Sequence, residues 1–325
     1  MNFSLNEDQL ALQQGIRAFC EQEFPLDGLA ALEKEPVTRA RWKQLAEMGV
    51  FGLRLAEAEG GVGLGMAEAV LVFAELGRRL VPGPLVWTHL AAGAIEGAAS
   101  GEVIVGGLDD THPTNRPQLV EHAGSLGAFV VLRRSGLARV QPSALVGADF
   151  ATPIDPLTPV RHVAVLPGGA PCGDAAAAAR WRRDGALLTA AFQLGIAEVT
   201  LELAVEYAKK REQFERPIAG FQAIKHLAAD MHVRLEMARA AVYAAGATCD
   251  DAAIGDALRA ASSARIVAGE AALKNARACI QIYGGMGFTW EMPPHYYLKR
   301  ALVLEHAFGT VEDHCEIVAQ SVDAA

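Results

Sequence analysis

The sequence lacks the cysteine and histidine patterns that define disulfide-rich and zinc-binding proteins. Its five cysteines are odd in number, scattered and never spaced as CxxC, and no histidine pair has HxxxH or HExxH spacing. This pattern excludes a disulfide framework or zinc ribbon and predicts buried thiols in a reducing cytoplasm. No metal site is expected. The cysteines are Cys20, Cys172, Cys249, Cys279 and Cys315.

Long apolar runs and basic charge are also missing. Hydrophobic residues make up 51% of the chain, yet no uninterrupted apolar run reaches the roughly 18 residues needed to span a bilayer. The opening MNFSLNEDQL is polar and acidic, unlike a secretory signal. The net charge of -9 argues against a general nucleic-acid binder. We therefore expect a cytoplasmic protein that binds neither membranes nor nucleic acid.

The 325 residues suffice for two or three domains, and residues 1–100 predict a helical one. Ser4 opens an S-x-x-E sequence, the form of a capping box. A second helix ends at Gly49, a third runs from Met66 to Leu80 and a fourth from Leu85 to Ala98. The glycine-rich stretch 59–65 has no Lys-Ser/Thr ending, so it is interpreted as a loop leading into a helix and not as a phosphate loop.

Residues 101–180 change in character, and residues 181–325 return to helix. Short β-branched runs separated by Pro, Gly and Asp predict a small, mostly antiparallel β module. In the last segment, apolar and small residues recur at spacings of three and four, which predicts an antiparallel four-helix bundle. The two stripes are Ile224, Leu227, Met231, Leu235, Ala238 and Val242, then Ala257, Ala261, Ala264, Ala268 and Ala271.

Two stretches within the bundle carry possible binding chemistry. An amphipathic helix from Leu194 ends in Lys209, Lys210 and Arg211, where cations suit the negative helix end. The following turn is an anion-binding corner or, equally, the solvated tip of a helical hairpin. The glycines of QIYGGMGF, residues 281–288, permit close approach to a ligand, or simply cap a helix.

Together these stretches resemble the acyl-CoA dehydrogenase family. REQFERPIAGFQAIKH and QIYGGMGF are similar to its two bundle motifs, and WKQLAEMGVFGL, GGVGLG and ELGRRLVPGP follow in the order of its N-terminal domain. The middle segment matches poorly. The resemblance implies a mainly α fold with a small β domain: an N-terminal helical domain, a shortened middle β module and a C-terminal four-helix bundle.

It also implies FAD as cofactor and α,β-dehydrogenation of an acyl-CoA as reaction, with an electron-transfer flavoprotein as acceptor. In this family the adenosine-pyrophosphate half of FAD reaches the two bundle motifs across a subunit interface. A guanidinium suits a diphosphate, and glycines admit a bulky cofactor. Glu215 stands where the family usually has glycine. Its carboxylate would weaken binding of the pyrophosphate unless Arg216 or Lys225 pairs with it. The cofactor residues implied are Arg211, Gln213, Phe214, Phe221, Gln222, Gln281, Gly284 and Gly285.

The catalytic base is missing. Phe308 occupies the family's usual glutamate position and Gly185 the alternative one, and the flavin-holding stretch of the middle domain is absent. The chain therefore resembles the short, non-catalytic subunits of α2β2 acyl-CoA dehydrogenases that act on steroid-CoA substrates. In such complexes a longer homologue supplies the glutamate, and the short subunit enlarges the pocket for a bulky substrate.

Two alternatives remain open. A self-sufficient enzyme could use a relocated acid, with Asp184, Glu305 and Glu312 as candidates. Asp184 is more simply a helix-start acid. A flavin-free assembly protein could use the bundle only as an oligomerisation surface.

Overall fold

The computed structural model describes residues 5–111 and 117–323. The N-terminal part is helical: α1 (Glu7–Glu23), α2 (Leu29–Leu32), α3 (Arg39–Glu47), α4 (Met66–Arg78) and α5 (Leu85–Ala91). The helix predicted from Leu85 is thus shorter than expected, because the chain passes into successive turns before Gly97, which has a φ of +80°.

The predicted cap of the first helix was wrong. Ser4 lies outside the described residues, and α1 is capped by Asn6, whose side chain accepts from the backbone N–H of Gln9 while the Gln9 side chain accepts from Asn6 N–H. This reciprocal pair is a capping box shifted by two residues. Asn and Gln provide the same geometry as Ser and Glu, so the sequence pattern alone did not separate the two.

The glycine-rich stretch leads into α4, as predicted. The backbone N–H groups at the start of α4, which could bind an anion, bind a carboxylate of the same chain. Asp250, the last residue of a later helix, accepts from the backbone N–H groups of Met66 (2.7 Å) and Ala67 (2.8 Å). A Cβ on Gly65 would lie 2.8 Å from the Asp250 carboxyl carbon, so only glycine leaves room for this carboxylate. It occupies the helix N-terminus, where free N–H groups favour an anion.

The middle part consists of two small sheets. Its strands are β1 (Val105–Asp109), β2 (Gln118–Glu121), β3 (Ala128–Arg133), β4 (Gly136–Val140), β5 (Gly147–Asp149), β6 (Val160–Val163) and β7 (Ala170–Gly173). One sheet has the order β1-β3-β4-β7 and the other β2-β6-β5. Only the β1–β3 pair is parallel, so the predicted mostly antiparallel module is confirmed.

The C-terminal part is the helical bundle. It contains α6 (Ala175–Lys210), α7 (Gln222–Asp250), α8 (Ala257–Tyr283), α9 (Pro294–Leu304) and α10 (Val311–Asp323). A two-stranded hairpin, β8 (Glu212–Gln213) with β9 (Arg216–Pro217), joins α6 to α7. The fourth long member of the bundle is divided into α9 and α10 by the loop 305–310. That loop holds Phe308, with a φ of +55°, and Gly309, with a φ of +110°.

The N-terminal part packs on the bundle through a close crossing of α4 and α6. A Cβ on Gly195 would lie 2.7 Å from the backbone nitrogen of Arg78, and a Cβ on Gly77 would lie 3.0 Å from Cα of Phe192. Backbones this close leave no space for side chains at either glycine. The crossing fixes the position of α6, which bears one of the two family base positions.

Helix α6 is long and apolar enough to cross a membrane by length and composition alone, but 72% of its most apolar window is buried in the protein. Burial of this kind is typical of a core helix. The sequence predicted the second half of this helix, from Leu194, but not a membrane-length apolar stretch, because polar side chains interrupt the apolar run. The five cysteines are free; Cys20 and Cys279 are buried as predicted, whereas Cys315 is exposed.

Candidate functional site

The first motif forms an exposed corner after α6. Arg211 is the C-cap of that helix: its N–H donates to the Tyr207 carbonyl, and its own carbonyl accepts from Ile218 N–H, both at 2.8 Å. Phe214 and Glu215, with φ values of +53° and +63°, make the two-residue turn of the hairpin. Positive φ at both central residues fits a turn of the primed type, whose twist matches the flanking strands.

Aromatic contacts stiffen this corner. The Arg216 guanidinium lies 4.2 Å from the centroid of the Phe221 ring, and Phe214 meets the same ring edge-to-face at 5.9 Å. Phe214 is nonetheless 86% exposed. Gln222 is exposed in the first turn of α7, where its amide contacts His226 Nε2 at 3.0 Å. An exposed aromatic ring beside amide groups suits a flat, polar ligand.

The second motif ends α8. Gln281 is exposed in the last turn, and Gly284 follows the helix with a φ of +61°, a conformation that disfavours any residue with a side chain. Nothing lies within 4 Å of a Cβ built on Gly284 or Gly285. Open space above exposed backbone permits close approach of a large ligand.

The structure places both motifs at the same end of the bundle. Tyr207 of α6 stacks on Tyr283 of α8, with ring centroids 4.0 Å apart and planes inclined by 15°. Ile218 from the first motif and Met286 from the second pack in the same apolar cluster. The polar groups of the two motifs therefore lie in one region, although helices α7 and α8 separate the motifs in the sequence.

The charge at this corner favours an anion. Among residues 5–111 and 117–323, no acidic side chain forms an ion pair with Arg211, whereas the neighbouring Lys210 is paired with Glu206 at 2.9 Å. Arg216 lies over Phe221 and, within the same ranges, neither it nor Lys225 pairs with Glu215. The adenosine diphosphate part of FAD therefore fits the residues present, with Glu215 as an opposing charge.

The two family base positions lie in contact with each other. A Cβ on Gly185 would lie 2.7 Å from Cζ of Phe308 and nearer still to its Cε1. Trp87 covers the other side of the Phe308 ring, with centroids 4.5 Å apart. Phe308 is 2% exposed. Neither position holds an acid, and the Phe308 ring itself packs against Gly185.

Asp184 does not face that space as a free base. Its carboxylate is paired with Arg54 (2.9 Å) and hydrogen-bonded by Arg183 Nε (2.8 Å), and the residue is 6% exposed. Two guanidinium groups therefore occupy both carboxylate oxygens.

The pocket beside Phe308 is small. It has a volume of about 60 Å³ and lies between α5, α6 and α9, well below the few hundred Å³ typical of sites for drug-sized ligands. A flavin ring does not fit it. Trp87 and Phe308 pack together at one side of this pocket. The enlarged substrate pocket implied by the family resemblance stays a prediction, since it concerns a complex with a partner chain.

Residues 6–103 match the N-terminal domain and residues 182–322 the C-terminal domain of acyl-CoA dehydrogenases. The chain belongs to the acyl-CoA dehydrogenase family. It is 36% identical over 280 residues to the acyl-CoA dehydrogenase IpdE2 of Mycobacterium tuberculosis, covering 80% of this chain and 79% of that protein. It is 34% identical over 282 residues to FadE34 of the same organism, covering 79% of this chain but only 38% of that longer protein.

Among solved structures, the chain is similar to one from the ChsE4-ChsE5 complex of Mycobacterium tuberculosis. The TM-score is 0.85 at 25% identity, and the alignment covers 100% of both chains. The predicted family and three-part fold are thus confirmed, as is FAD as the cofactor of this family. The roles of individual cofactor residues and the domain boundaries at residues 100 and 180 stay predictions.

Sequence reasoning missed a polar cluster at the floor of the small pocket. Arg300 of α9 forms a buried ion pair with Asp155, and His122 lies beside the same pocket. These residues belong to no motif and come from three separate segments. No signal in a single sequence could have joined them.

Proposed function

We propose that this chain is a subunit of an FAD-dependent acyl-CoA dehydrogenase, in which it binds the adenosine-pyrophosphate half of FAD and a longer homologous partner supplies the catalytic glutamate. The assembly would be an α2β2 heterotetramer. Its substrate would be a bulky acyl-CoA, with a steroid-derived acyl group as the specific case. The dehydrogenation would take place in the cytoplasm, and an electron-transfer flavoprotein would be the electron acceptor.

The observation that supports a catalytic glutamate on the partner, and none on this chain, is the contact between Gly185 and Phe308. The reaction needs a carboxylate to remove the α-proton of the substrate. At the two positions where the family places that carboxylate, this chain has a residue without a side chain and a buried aromatic ring packed against it. This supports a proton acceptor outside this chain.

The residues at the bundle end would act as binding groups. FAD, when bound, supplies the hydride acceptor of the reaction. Arg211 would pair with the diphosphate, and the exposed backbone of Gly284 and Gly285 would admit the adenosine. Gln213, Gln222 and Gln281 offer amide donors and acceptors around it, and Phe214 and Phe221 offer apolar surface.

A self-sufficient enzyme with a relocated base is disfavoured. Asp184 is held by Arg54 and Arg183, and no observation points to proton transfer by Glu305 or Glu312. A flavin-free assembly protein would not need Arg211, which has no ion pair among the described residues, or the open glycines at the same end of the bundle. A yellow protein absorbing near 450 nm, alone or with its partner, would contradict that reading.

The test is expression of the chain alone and together with a longer homologue that retains the glutamate. We expect the isolated chain to show no acyl-CoA oxidation and the purified complex to bind FAD and oxidise an acyl-CoA. Replacing the partner's glutamate by glutamine should abolish turnover while FAD remains bound. Stoichiometric FAD and turnover in the isolated chain would overturn the proposal.

A variant pair tests the cofactor role within that complex. Arg211→Gln removes the unpaired cation at the helix end, and we expect FAD affinity to fall by roughly ten-fold or more, since charge-assisted hydrogen bonds contribute about 1.5–3 kcal/mol. Lys210→Gln removes a charge already paired with Glu206 and serves as control. Equal losses from both variants would indicate only a general charge effect.

A further inference from the structure

An open groove lies on the surface of the middle part, where strand β4 ends at Val140. It shares no lining residue with the pocket beside Phe308 and none with the two FAD motifs. Its volume is about 430 Å³, within the range typical of sites for small molecules. Because a water molecule in the liquid occupies about 30 Å³, the groove admits a ligand of on the order of ten non-hydrogen atoms.

One wall of the groove is the loop that leads into β7 and contains Pro167 and Gly169. Arg133 of β3 holds this loop, since Nη1 donates to the Gly168 carbonyl at 2.9 Å and Nη2 to the Pro167 carbonyl at 3.3 Å. Gly169 has a φ of +76°, and a Cβ on it would lie 2.8 Å from the carbonyl oxygen of Arg139. Only glycine therefore allows the loop to lie this close to β4.

Another wall is the 3₁₀ turn Pro142–Ala144, which follows β4. Ala144 N–H donates to the Gln141 carbonyl at 2.9 Å, and Leu145 N–H donates to the Pro142 carbonyl at 3.1 Å. Leu145 is buried and anchors the turn, and Val140, which also lines the groove, is buried in the same cluster. Both walls are thus fixed by contacts within the chain, so a ligand need not order them on binding.

The charge of the groove selects an anion. Its lining contains one charged side chain, the exposed Arg139, and no acidic one. In the described ranges 5–111 and 117–323, no carboxylate forms an ion pair with Arg139, whereas Arg133 and Arg161 of the same module pair with Asp110 and Asp149. A guanidinium without a partner pairs well with a carboxylate, because its two parallel N–H groups match the two oxygens.

The remaining lining selects the body of the ligand. Apart from Arg139, Gln141 and Gly169, the lining is aliphatic, with no aromatic ring on which a flat ligand could stack. Aliphatic surface gains free energy by covering an apolar chain. A single cation beside such surface fits a singly charged carboxylate better than a multiply charged phosphate ester. The aliphatic residues are Val140, Ala144, Pro167 and Ala170.

We propose that this groove binds an aliphatic carboxylate of about ten non-hydrogen atoms. Arg139 pairs with the carboxylate, the Gln141 amide donates a further hydrogen bond, and the chain of the ligand lies along Val140 and Pro167. The site goes beyond the proposed function and does not depend on it, because it uses no residue of the FAD motifs.

Octanoate and octanamide form a matched pair of probes, because they have the same number of non-hydrogen atoms and differ in charge. In titration calorimetry of the full chain, octanoate should bind about five-fold more tightly than octanamide, as expected for one exposed ion pair. Acetate keeps the charge but lacks the chain, so it should bind at least ten-fold more weakly than octanoate. Undetectable octanoate binding, or equal binding of octanoate and either other probe, would overturn the proposal.

Variants at exposed positions locate the site. Arg139→Gln should weaken octanoate binding about five-fold and leave octanamide binding unchanged. Arg134→Gln removes an exposed charge from the turn between β3 and β4, outside the lining, and should change neither. Ala144→Phe places a ring in the groove and should abolish binding of both probes.

Unchanged octanoate binding in Arg139→Gln or Ala144→Phe would refute the assignment. Equal losses in Arg139→Gln and Arg134→Gln would refute it too, because they would indicate a general charge effect. FAD binding by the complex with a longer homologue should be the same with and without Arg139→Gln, so the outcome here is independent of the outcome for the proposed function.

Discussion

The ring of Phe308 packs directly on the backbone of Gly185, where a Cβ would lie 2.5 Å from the ring atom Cδ1. The two residues are far apart in sequence, one in α6 and the other in the loop between α9 and α10. The family resemblance predicts that these are the two positions where acyl-CoA dehydrogenases carry their base. Because the two residues pack against each other, the absence of an acid at both positions is part of the packed interior.

This contact predicts a coupled change in stability. Gly185→Ala improves helix propensity by about 1 kcal/mol but forces a Cβ into the Phe308 ring, and overpacking costs about 1–3 kcal/mol. We expect a net loss of about 0–2 kcal/mol in the free energy of unfolding in urea. In a Phe308→Ala background the same change should be neutral or stabilising.

Gly15→Ala provides the control for Gly185→Ala. Gly15 is exposed within α1, and nothing lies within 4 Å of its Cβ, so only the propensity gain should appear. If Gly185→Ala has the same effect with and without the Phe308 ring, the two residues are not coupled through this contact.

Asp250 is expected to stabilise α4 from another helix. Asp250→Ala leaves Met66 and Ala67 N–H groups without their acceptor, and loss of a cap costs about 0.5–2 kcal/mol. The midpoint of urea unfolding should fall accordingly. Asp230→Ala, at an exposed position of the same helix α7, should cost nothing or stabilise slightly. A similar loss in both variants would argue against the capping role.

Glu215 combines an unfavourable backbone with an unfavourable charge. Its φ of +63° suits glycine, and relief of left-handed strain is worth about 1 kcal/mol. Glu215→Gly should therefore stabilise the chain and, in a complex that binds FAD, raise its affinity by removing a carboxylate. Thermal unfolding and flavin titration measure the two effects.

Glu212→Gly serves as the comparison for Glu215→Gly. Glu212 is equally exposed in the same hairpin but lies in strand β8 without positive φ, so glycine should destabilise it. A stabilising effect at position 212, or none at 215, would contradict the strain argument.

His314 should make stability fall in mild acid. Burial lowers its pKa to about 4; because Nε2 contacts the Phe308 carbonyl (3.2 Å), that nitrogen carries the proton and Nδ1 accepts from Ser262 (3.1 Å). The unfolded state, with a pKa near 6.5, binds the proton first as the pH falls. Stability is therefore fully present above about pH 6.5 and decreases toward pH 4 by up to about 1.4 kcal/mol per pH unit.

His314→Gln should reduce this slope, because glutamine can make both hydrogen bonds without titrating. Urea unfolding at pH 7, 6 and 5 measures the slope. His232→Gln, on an exposed ring, should leave it unchanged. Residual slope from the buried His89, whose pKa burial lowers to about 4, is expected in every variant. An unaltered slope in His314→Gln would rule out His314 as a contributor.

The fold was predictable where local patterns repeat. The stripe through Met231, Leu235, Ala238 and Val242 is buried as its spacing indicates, and the glycine-rich stretch before Met66 leads into a helix as expected. Boundaries were less reliable. The β-branched run of residues 103–105 favours a strand, yet β1 begins only at Val105, because its pairing with β3 begins there.

The candidate site was only partly predictable. The motif residues from Arg211 to Gln222 and from Gln281 to Gly285 were identified from their sequence, and the structure brings both to one end of the bundle. The sequence also indicated that no acid stands at positions 185 and 308. It could not show that these residues touch, since contacts between distant segments depend on how helices pack.

What the sequence determined by itself is the family and the order of the three parts; the residues that replace the base are a prediction from the same motifs. These follow from local periodicity and from motifs, which are properties of neighbouring residues. Tertiary structure alone decided that Phe308 packs on Gly185, that Asp250 occupies the N-terminus of α4 and that Arg300 and His122 line one pocket. Each of these contacts joins segments that are distant in the sequence. The packing of the whole chain brings them together, and no interaction between neighbouring residues predicts the contact.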